Sequence, residues 1–153
     1  ITMCKAKATG NYLNSMLALK EALDCGYDEA LLLDNEGFVM EGSGENLFIL
    51  REGVIYTPDL TSALDGITRK TVIALCDELN IRVVEKRITR YEVYIADEAF
   101  FTGTAAEVTP IREVDGRRIG RGSRGPITER LQGLYFDQVH GRREHNKHWL
   151  TFI

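Results

Sequence analysis

From residue 30 to residue 57 the sequence alternates short apolar runs with turns too short to hold a helix. Ala30-Leu31-Leu32-Leu33 reads as a buried strand, Asp34-Asn35-Glu36-Gly37 as a turn, and 38–41 as the returning strand. A second pair, 47–50 and 54–57, is joined by Arg51-Glu52-Gly53, and Pro58 ends the pattern. Parallel strands need a crossover of about a dozen residues or more. These connections therefore make neighbouring strands antiparallel, and any fold must be built around hairpins.

Helical periodicity appears on both sides of this meander. Leu13, Met16, Leu17, Ala18 and Leu23 recur at helical spacing, with Asn11 as the expected N-cap and Gly26 closing the C-terminus. A second helix is expected from Ile67, with Val72, Ile73, Leu75, Cys76 and Leu79 as its stripe. Pro126 suits the first position of a last helix over 127–139, carrying Ile127, Leu131, Leu134 and Tyr135. Further strands are expected at 81–84, 98–101, 108–113 and 117–119, the last two flanking the hairpin signal Asp115-Gly116. Residues 88–96 read as a short helix or irregular chain. Strands grouped as hairpins, with helices set apart, define an α+β domain with a largely antiparallel sheet and flanking helices.

With 153 residues the chain is long enough for one domain with a real core, and a formal net charge of −4 argues against nucleic acid or a membrane surface as its main partner. No apolar run approaches the roughly 18 residues of a membrane span. Cys4, Cys25 and Cys76 are odd in number, widely spaced and without a CxxC pair, which fits reduced thiols in a cytoplasmic protein. His145 and His148 are three apart but lack companion ligands, so no metal site is expected there. The chain opens on Ile1 rather than Met and enters dense sequence at once, as the middle of a longer protein would.

Chemistry concentrates at glycine-containing turns. In Glu41-Gly42-Ser43-Gly44-Glu45-Asn46-Leu47-Phe48 a carboxylate stands at a strand end beside a turn bracketed by glycines. Gly66-Ile67-Thr68 opens a helix, where unpaired N–H groups, the positive dipole end and a hydroxyl suit a phosphate. Thr102-Gly103-Thr104 offers further donors after a buried strand. The Rossmann pattern fails, since Gly42-Ser43-Gly44 lacks the third glycine and joins hairpin strands, and no Walker motif is present. A lysine, a carboxylate and a phosphate cup outside those two loops match the needs of one cofactor, pyridoxal 5'-phosphate. Its aldehyde requires an amine, its ring nitrogen an acid, and its phosphate backbone and hydroxyl donors.

The ordered motifs resemble those of branched-chain amino acid aminotransferases, of the fold-type IV class of pyridoxal-phosphate enzymes. They are Lys7-Ala8-Thr9-Gly10-Asn11-Tyr12, the Glu41–Phe48 stretch, Leu64-Asp65-Gly66-Ile67-Thr68-Arg69 and Gly103-Thr104-Ala105-Ala106-Glu107-Val108-Thr109-Pro110. The resemblance implies a role for each. Lys7 is the lysine that condenses with the cofactor and moves the substrate proton, and Lys5, at the wrong distance from Tyr12, is the alternative. Tyr12 bonds the phenolic oxygen, Glu41 pairs with the ring nitrogen, and Leu64 lies against a ring face. Gly66, Ile67 and Thr68 form the phosphate cup, with Gly103 and Thr104 on its other side. The N–H groups of Thr104 and Ala105 receive the substrate carboxylate. Glu45 has only an outer supporting role.

It also implies the large, C-terminal domain of a two-domain enzyme, a pseudo-barrel whose smaller N-terminal domain is absent here. The substrates implied are L-leucine, isoleucine or valine and 2-oxoglutarate, in a homo-oligomer, with this part alone inactive. D-amino acid aminotransferases and aminodeoxychorismate lyases of the same fold, and a non-catalytic binding or dimerisation module, are the alternatives. Apolar surface meant for the missing part should be exposed.

Overall fold

The computed structural model describes residues 6–151. Cys4 and Lys5 lie outside the described residues, as do Phe152 and Ile153.

A 3-10 turn, Thr9–Tyr12, leads into α1 (Leu13–Asp24). The meander follows as β1 (Leu31–Leu33), β2 (Phe38–Gly42), β3 (Asn46–Arg51) and β4 (Val54–Thr57). Then come α2 (Ile67–Glu78), β5 (Val83–Glu85), β6 (Ile88–Thr89) and α3 (Arg90–Tyr94). The chain continues through β7 (Glu98–Gly103), β8 (Glu107–Pro110), β9 (Glu113–Val114), β10 (Arg117–Arg118) and α4 (Pro126–Val139).

The sheet is antiparallel apart from the β4–β5 pairing, and it branches. β3 is its hub: it pairs with β2 at Asn46, with β4 over 49–51 and with β7 over 46–50. The β3–β4 reversal places Glu52 at φ 51° and Gly53 at φ 78°, the two positive values of a tight hairpin turn. Asp115 and Gly116 repeat that geometry between β9 and β10.

Both faces of the central strands are covered, which explains their unbroken apolar runs. Phe48, Leu50 and Phe100 point to one core with Val72, Leu75 and Cys76 of α2 and Leu131 and Tyr135 of α4. Leu47, Ile49, Ala99 and Phe101 point to a second core with Val39, Ile88 and Val93. Phe48 and Phe100 are register partners whose rings stack at 5.1 Å. Each is fully buried, worth ~2–3 kcal/mol relative to exposure.

The segment at 88–96 resolves into β6 and α3. Thr89 and Glu92 form a capping box, the Thr-x-x-Glu pattern that starts the helix so soon after the strand. Long-range polar contacts set the other helices. Glu98 of β7 is buried and accepts from the N–H groups of Ile127 and Thr128 and from the Thr128 hydroxyl, so a strand residue caps α4. Gly125 must lack a side chain there, since a Cβ would fall 2.1 Å from the Glu98 carboxyl carbon. Arg69 of α2 is 2% exposed and donates to Pro58 O and to Glu85.

Two local expectations change. Asn11 is not an N-cap: it sits inside the 3-10 turn, and its Nδ2 donates to Ala6 O at 2.8 Å, tying down the loop that carries Lys7. The strand expected over 108–113 divides into β8 and β9.

Candidate active site

The end of β2, the loop before α2 and the Ala6–Ser15 segment enclose a cavity of about 470 Å³. Lys7, Tyr12, Glu41 and Leu64 all line it, with Asn46 and Glu45. Four residues spread over nearly sixty positions of sequence thus border one cavity.

Glu41 is the best anchored of them. It opposes Asn46 across the β2–β3 pairing. Its Oε2 accepts the Leu64 N–H at 2.9 Å and lies 3.5 Å from Asn46 Nδ2. Burial pushes its pKa up, opposed by the Leu64 N–H and by the positive charge of Lys7. A cation held near this carboxyl favours its ionised form. Lys7 itself is exposed at the mouth, its Nζ 5.6 Å from the centre of the Tyr12 ring. That is cation–π distance.

The residue the motif did not single out is Asn46. It is 5% exposed, and its Nδ2 also donates to Leu64 O at 2.8 Å. Its Oδ1 lies so close to Gly66 that a Cβ there would approach to 2.2 Å. One amide therefore ties the Glu41 carboxyl, the Leu64 loop and the start of α2 together. The only signal in the sequence was an amide opening an apolar run, which is ambiguous between a turn and a buried clamp. Arg69, buried and ion-paired one residue after Thr68, was equally silent.

The expected phosphate turns sit beyond the cavity wall. Gly66 is the N-cap of α2, in extended backbone, and its N–H is taken by Leu64 O. Ile67 is 81% exposed and Thr68 is buried, and their N–H groups belong to the first helical turn, which has no partners within the helix. No side chain caps that end. Thr104 and Ala105 are exposed on the turn between β7 and β8. Gly103 rests on the β2–β3 turn: a Cβ there would meet Glu45 Cγ at 3.1 Å and Gly44 O at 3.3 Å. Both turns thus abut the 44–46 segment from different sides.

Glu45, expected only as outer support, is the residue that meets Gly103. Burial and the neighbouring Glu29 carboxyl raise its pKa to about 7. Glu29 Oε1 accepts from Ala30 N at 2.7 Å and Ser43 N at 3.2 Å. No cluster of metal-ligating side chains occurs among the described residues.

A largely antiparallel sheet with flanking helices and an amine and a half-buried acid on one cavity describes a class, and comparison with known proteins identifies it. The family model for amino-transferase class IV matches residues 2–114, and the chain belongs to that family. Among individual relatives, the branched-chain-amino-acid aminotransferase of Pseudomonas aeruginosa (strain PAO1) is 63% identical over all 153 residues, which cover 50% of its length. The T.th. branched-chain amino acid aminotransferase, solved with N-(5'-phosphopyridoxyl)-L-glutamate, superposes with a TM-score of 0.98 at 52% identity. That match covers 99% of this chain and 52% of the other. The Thermobaculum terrenum branched-chain aminotransferase in its PLP form gives 0.96 at 46% identity, over 99% and 50%. The chain spans about half the length of the relatives it matches.

Proposed function

We propose that this chain is the cofactor-binding domain of a two-domain branched-chain amino acid aminotransferase. The whole protein would exchange amino groups between L-leucine, L-isoleucine or L-valine and 2-oxoglutarate. The observation that carries the reading is the meeting of Lys7, Tyr12, Glu41 and Leu64 on one cavity of about 470 Å³, in a chain of this family. The similarity to branched-chain enzymes over the whole chain favours that substrate class over D-amino acids or aminodeoxychorismate.

The donor set fits pyridoxal 5'-phosphate. It holds a primary amine at the mouth, the half-buried Glu41 carboxyl with Glu45 further along the lining, and one phenol, and the first turn of α2 lies beside it. Lys7 and Tyr12 would hold the aldehyde side, Glu41 the ring nitrogen, and Leu64 a ring face. The N–H groups of Ile67 and Thr68, with Gly66, Gly103 and Thr104, would hold the phosphate. When bound, the cofactor supplies the electron sink that stabilises the carbon from which the substrate proton leaves.

The chain's own work is then proton and charge management. Lys7 Nζ, at the open mouth, takes the proton from the substrate's α-carbon and later returns it. Glu41, fixed by the Leu64 N–H and Asn46, would pair its carboxylate with the ring nitrogen. Its burial strengthens any charge pair made there. The Thr104 and Ala105 N–H groups, exposed on their turn, receive the substrate carboxylate.

The rest of the protein would cover the cavity mouth and the apolar face of α1, so the 153 residues alone are expected to be inactive. A homo-oligomer in the cytoplasm is proposed for the full-length enzyme. Unpaired Cys25 and Cys76 and the uncovered α1 face support this.

The test is to add pyridoxal phosphate, record the visible spectrum, reduce with borohydride and map the labelled peptide. Label on Lys7 is the expected result. The same experiment on the full-length protein decides the question, since failure to label Lys7 there ends the aminotransferase reading. Turnover of D-alanine or aminodeoxychorismate equal to that of L-leucine would end the substrate assignment.

A further inference from the structure

The Glu29 and Glu45 side chains interact beside the place where the β2–β3 turn touches Gly103. The geometry points to Glu45 as a positioning residue. Sharing one proton with Glu29, it clamps the Gly42–Glu45 turn onto Gly103 and so fixes the Glu41 end of the cavity. The inference rests on reading that cavity as the reacting site.

Two glycines are shaped around this side chain. A Cβ at Gly42 would sit 2.8 Å from Glu45 Oε2, and one at Gly103 would sit 3.1 Å from its Cγ. Such close approach is a specific reason for glycine at both places. The turn is closed by Gly42 N–H donating to Glu45 O at 2.7 Å. Its other anchor is the Ser43 N–H, donated to Glu29. Glu45 Oε2 is buried and has no donor partner.

Two carboxylates this close cannot both be ionised at low cost, and a hydrogen bond between them exists only if one carries a proton. Glu29 Oε1 already accepts two backbone N–H groups, whereas the buried Glu45 Oε2 accepts none. The proton therefore resides on Glu45, which donates it to Glu29. The chain of contacts runs Gly103, Glu45, Glu29, Ser43. When pH rises the proton leaves to solvent and two adjacent anions remain.

The other charged groups nearby have their own engagements. Glu41, on β2, is held by Leu64 and Asn46, and Lys7 acts on Glu41. Asp28, Arg112 and Glu113 line a second cavity, of about 450 Å³, on the Glu29 side. Glu107 stands at the far end of the Gly103 turn. Among all of these only Glu29 raises the Glu45 pKa.

The test begins on the 153-residue chain without cofactor. Carboxyl and amide NMR shifts are followed from pH 5 to pH 9, with Glu45 assigned by Glu45→Gln. One carboxyl should titrate at about 7, and the Ser43 and Gly103 amides should move with the same midpoint. In Glu45→Gln, which keeps a donor but cannot ionise, that amide transition should vanish. In Glu29→Gln, the Glu45 midpoint should fall by about one pH unit or more. No carboxyl titrating above pH 6, or amides indifferent to it, overturns the clamp.

A second arm measures pyridoxal phosphate affinity for wild type and Glu45→Gln. Taking their ratio cancels any pH dependence common to both proteins. The variant-to-wild-type affinity ratio should rise roughly fivefold between pH 6 and pH 8, the low end of coupling between sites in one protein. A flat ratio overturns the link to the cavity. Binding to neither protein counts against the cavity reading, while the amide titration still decides the clamp.

Discussion

α1 and α2 are both 12 residues long and both carry an apolar stripe at helical spacing, yet they have opposite fates. α2 buries Val72, Leu75 and Cys76 against the sheet and α4. α1 buries none of its residues, and Leu13, Met16, Leu17 and Leu23 are each more than half exposed. A stripe states which face of a helix needs cover. It does not state whether the cover lies in the same chain. The start of each helix tells the same story. α2 begins on Gly66 against Asn46 and is pinned by the buried Arg69, whereas α1 follows a 3-10 turn tied to Ala6 through Asn11.

The largest expected effect is a direct contrast between the two stripes. Leu75→Ala removes a fully buried side chain and should cost about 2–5 kcal/mol in urea unfolding. Leu17→Ala, at a residue 62% exposed, should stay within about 0.5 kcal/mol. Equal costs would show that α1 is covered in solution. Hydrogen exchange separates them independently: α1 amides should open far more readily than those around Leu75.

Smaller effects follow at the pinned start of α2. Arg69→Met removes the donor to Pro58 O and the pairing with Glu85, and about 2 kcal/mol should be lost. Half of the Glu85 side chain is exposed and can turn to water, which limits the penalty. Asn46→Ala leaves Leu64 O without its side-chain donor and should cost about 1 kcal/mol of stability. Labelling of Lys7 by pyridoxal phosphate should weaken with it. Unchanged labelling would mean that Asn46 supports the fold and not the site.

Most of the architecture was legible because its signals are local. The hairpins at Glu52-Gly53 and Asp115-Gly116 need positive φ, and Gly26 ends α1 where a C-terminal glycine should. What stayed hidden depends on partners distant in sequence. Glu98 capping α4, Arg69 under Pro58 and Asn46 bridging Glu41 to Leu64 are polar side chains. Sequence alone gives polar residues a solvated reading. The site behaved likewise. The motifs delivered Lys7, Tyr12, Glu41 and Leu64 to one cavity, but left the turns at Gly66 and Gly103 linked only through 44–46. Glu45 was underrated because its environment is made by Glu29, sixteen positions earlier.

The least dramatic test concerns pH, and its sign distinguishes the cavity from the surface. Asp34, Asp59, Glu92 and Asp115 have pKa values held low, Asp34 chiefly by the Phe38 N–H and Asp115 by Tyr94, so their stabilisation fades as pH falls through that range. Glu45 and Glu41 are raised, chiefly by burial, so the stability they favour is present below the ordinary carboxylate range. For Glu45 that stability is lost as pH rises through about 7. The melting temperature should therefore peak at about pH 5, decline to about pH 7 and level off above it. Glu45→Gln should flatten the alkaline decline and leave the acid limb unchanged. A decline that survives in Glu45→Gln would assign the loss to Glu41 instead, and with it move the pH-sensitive element from the turn to the cavity wall.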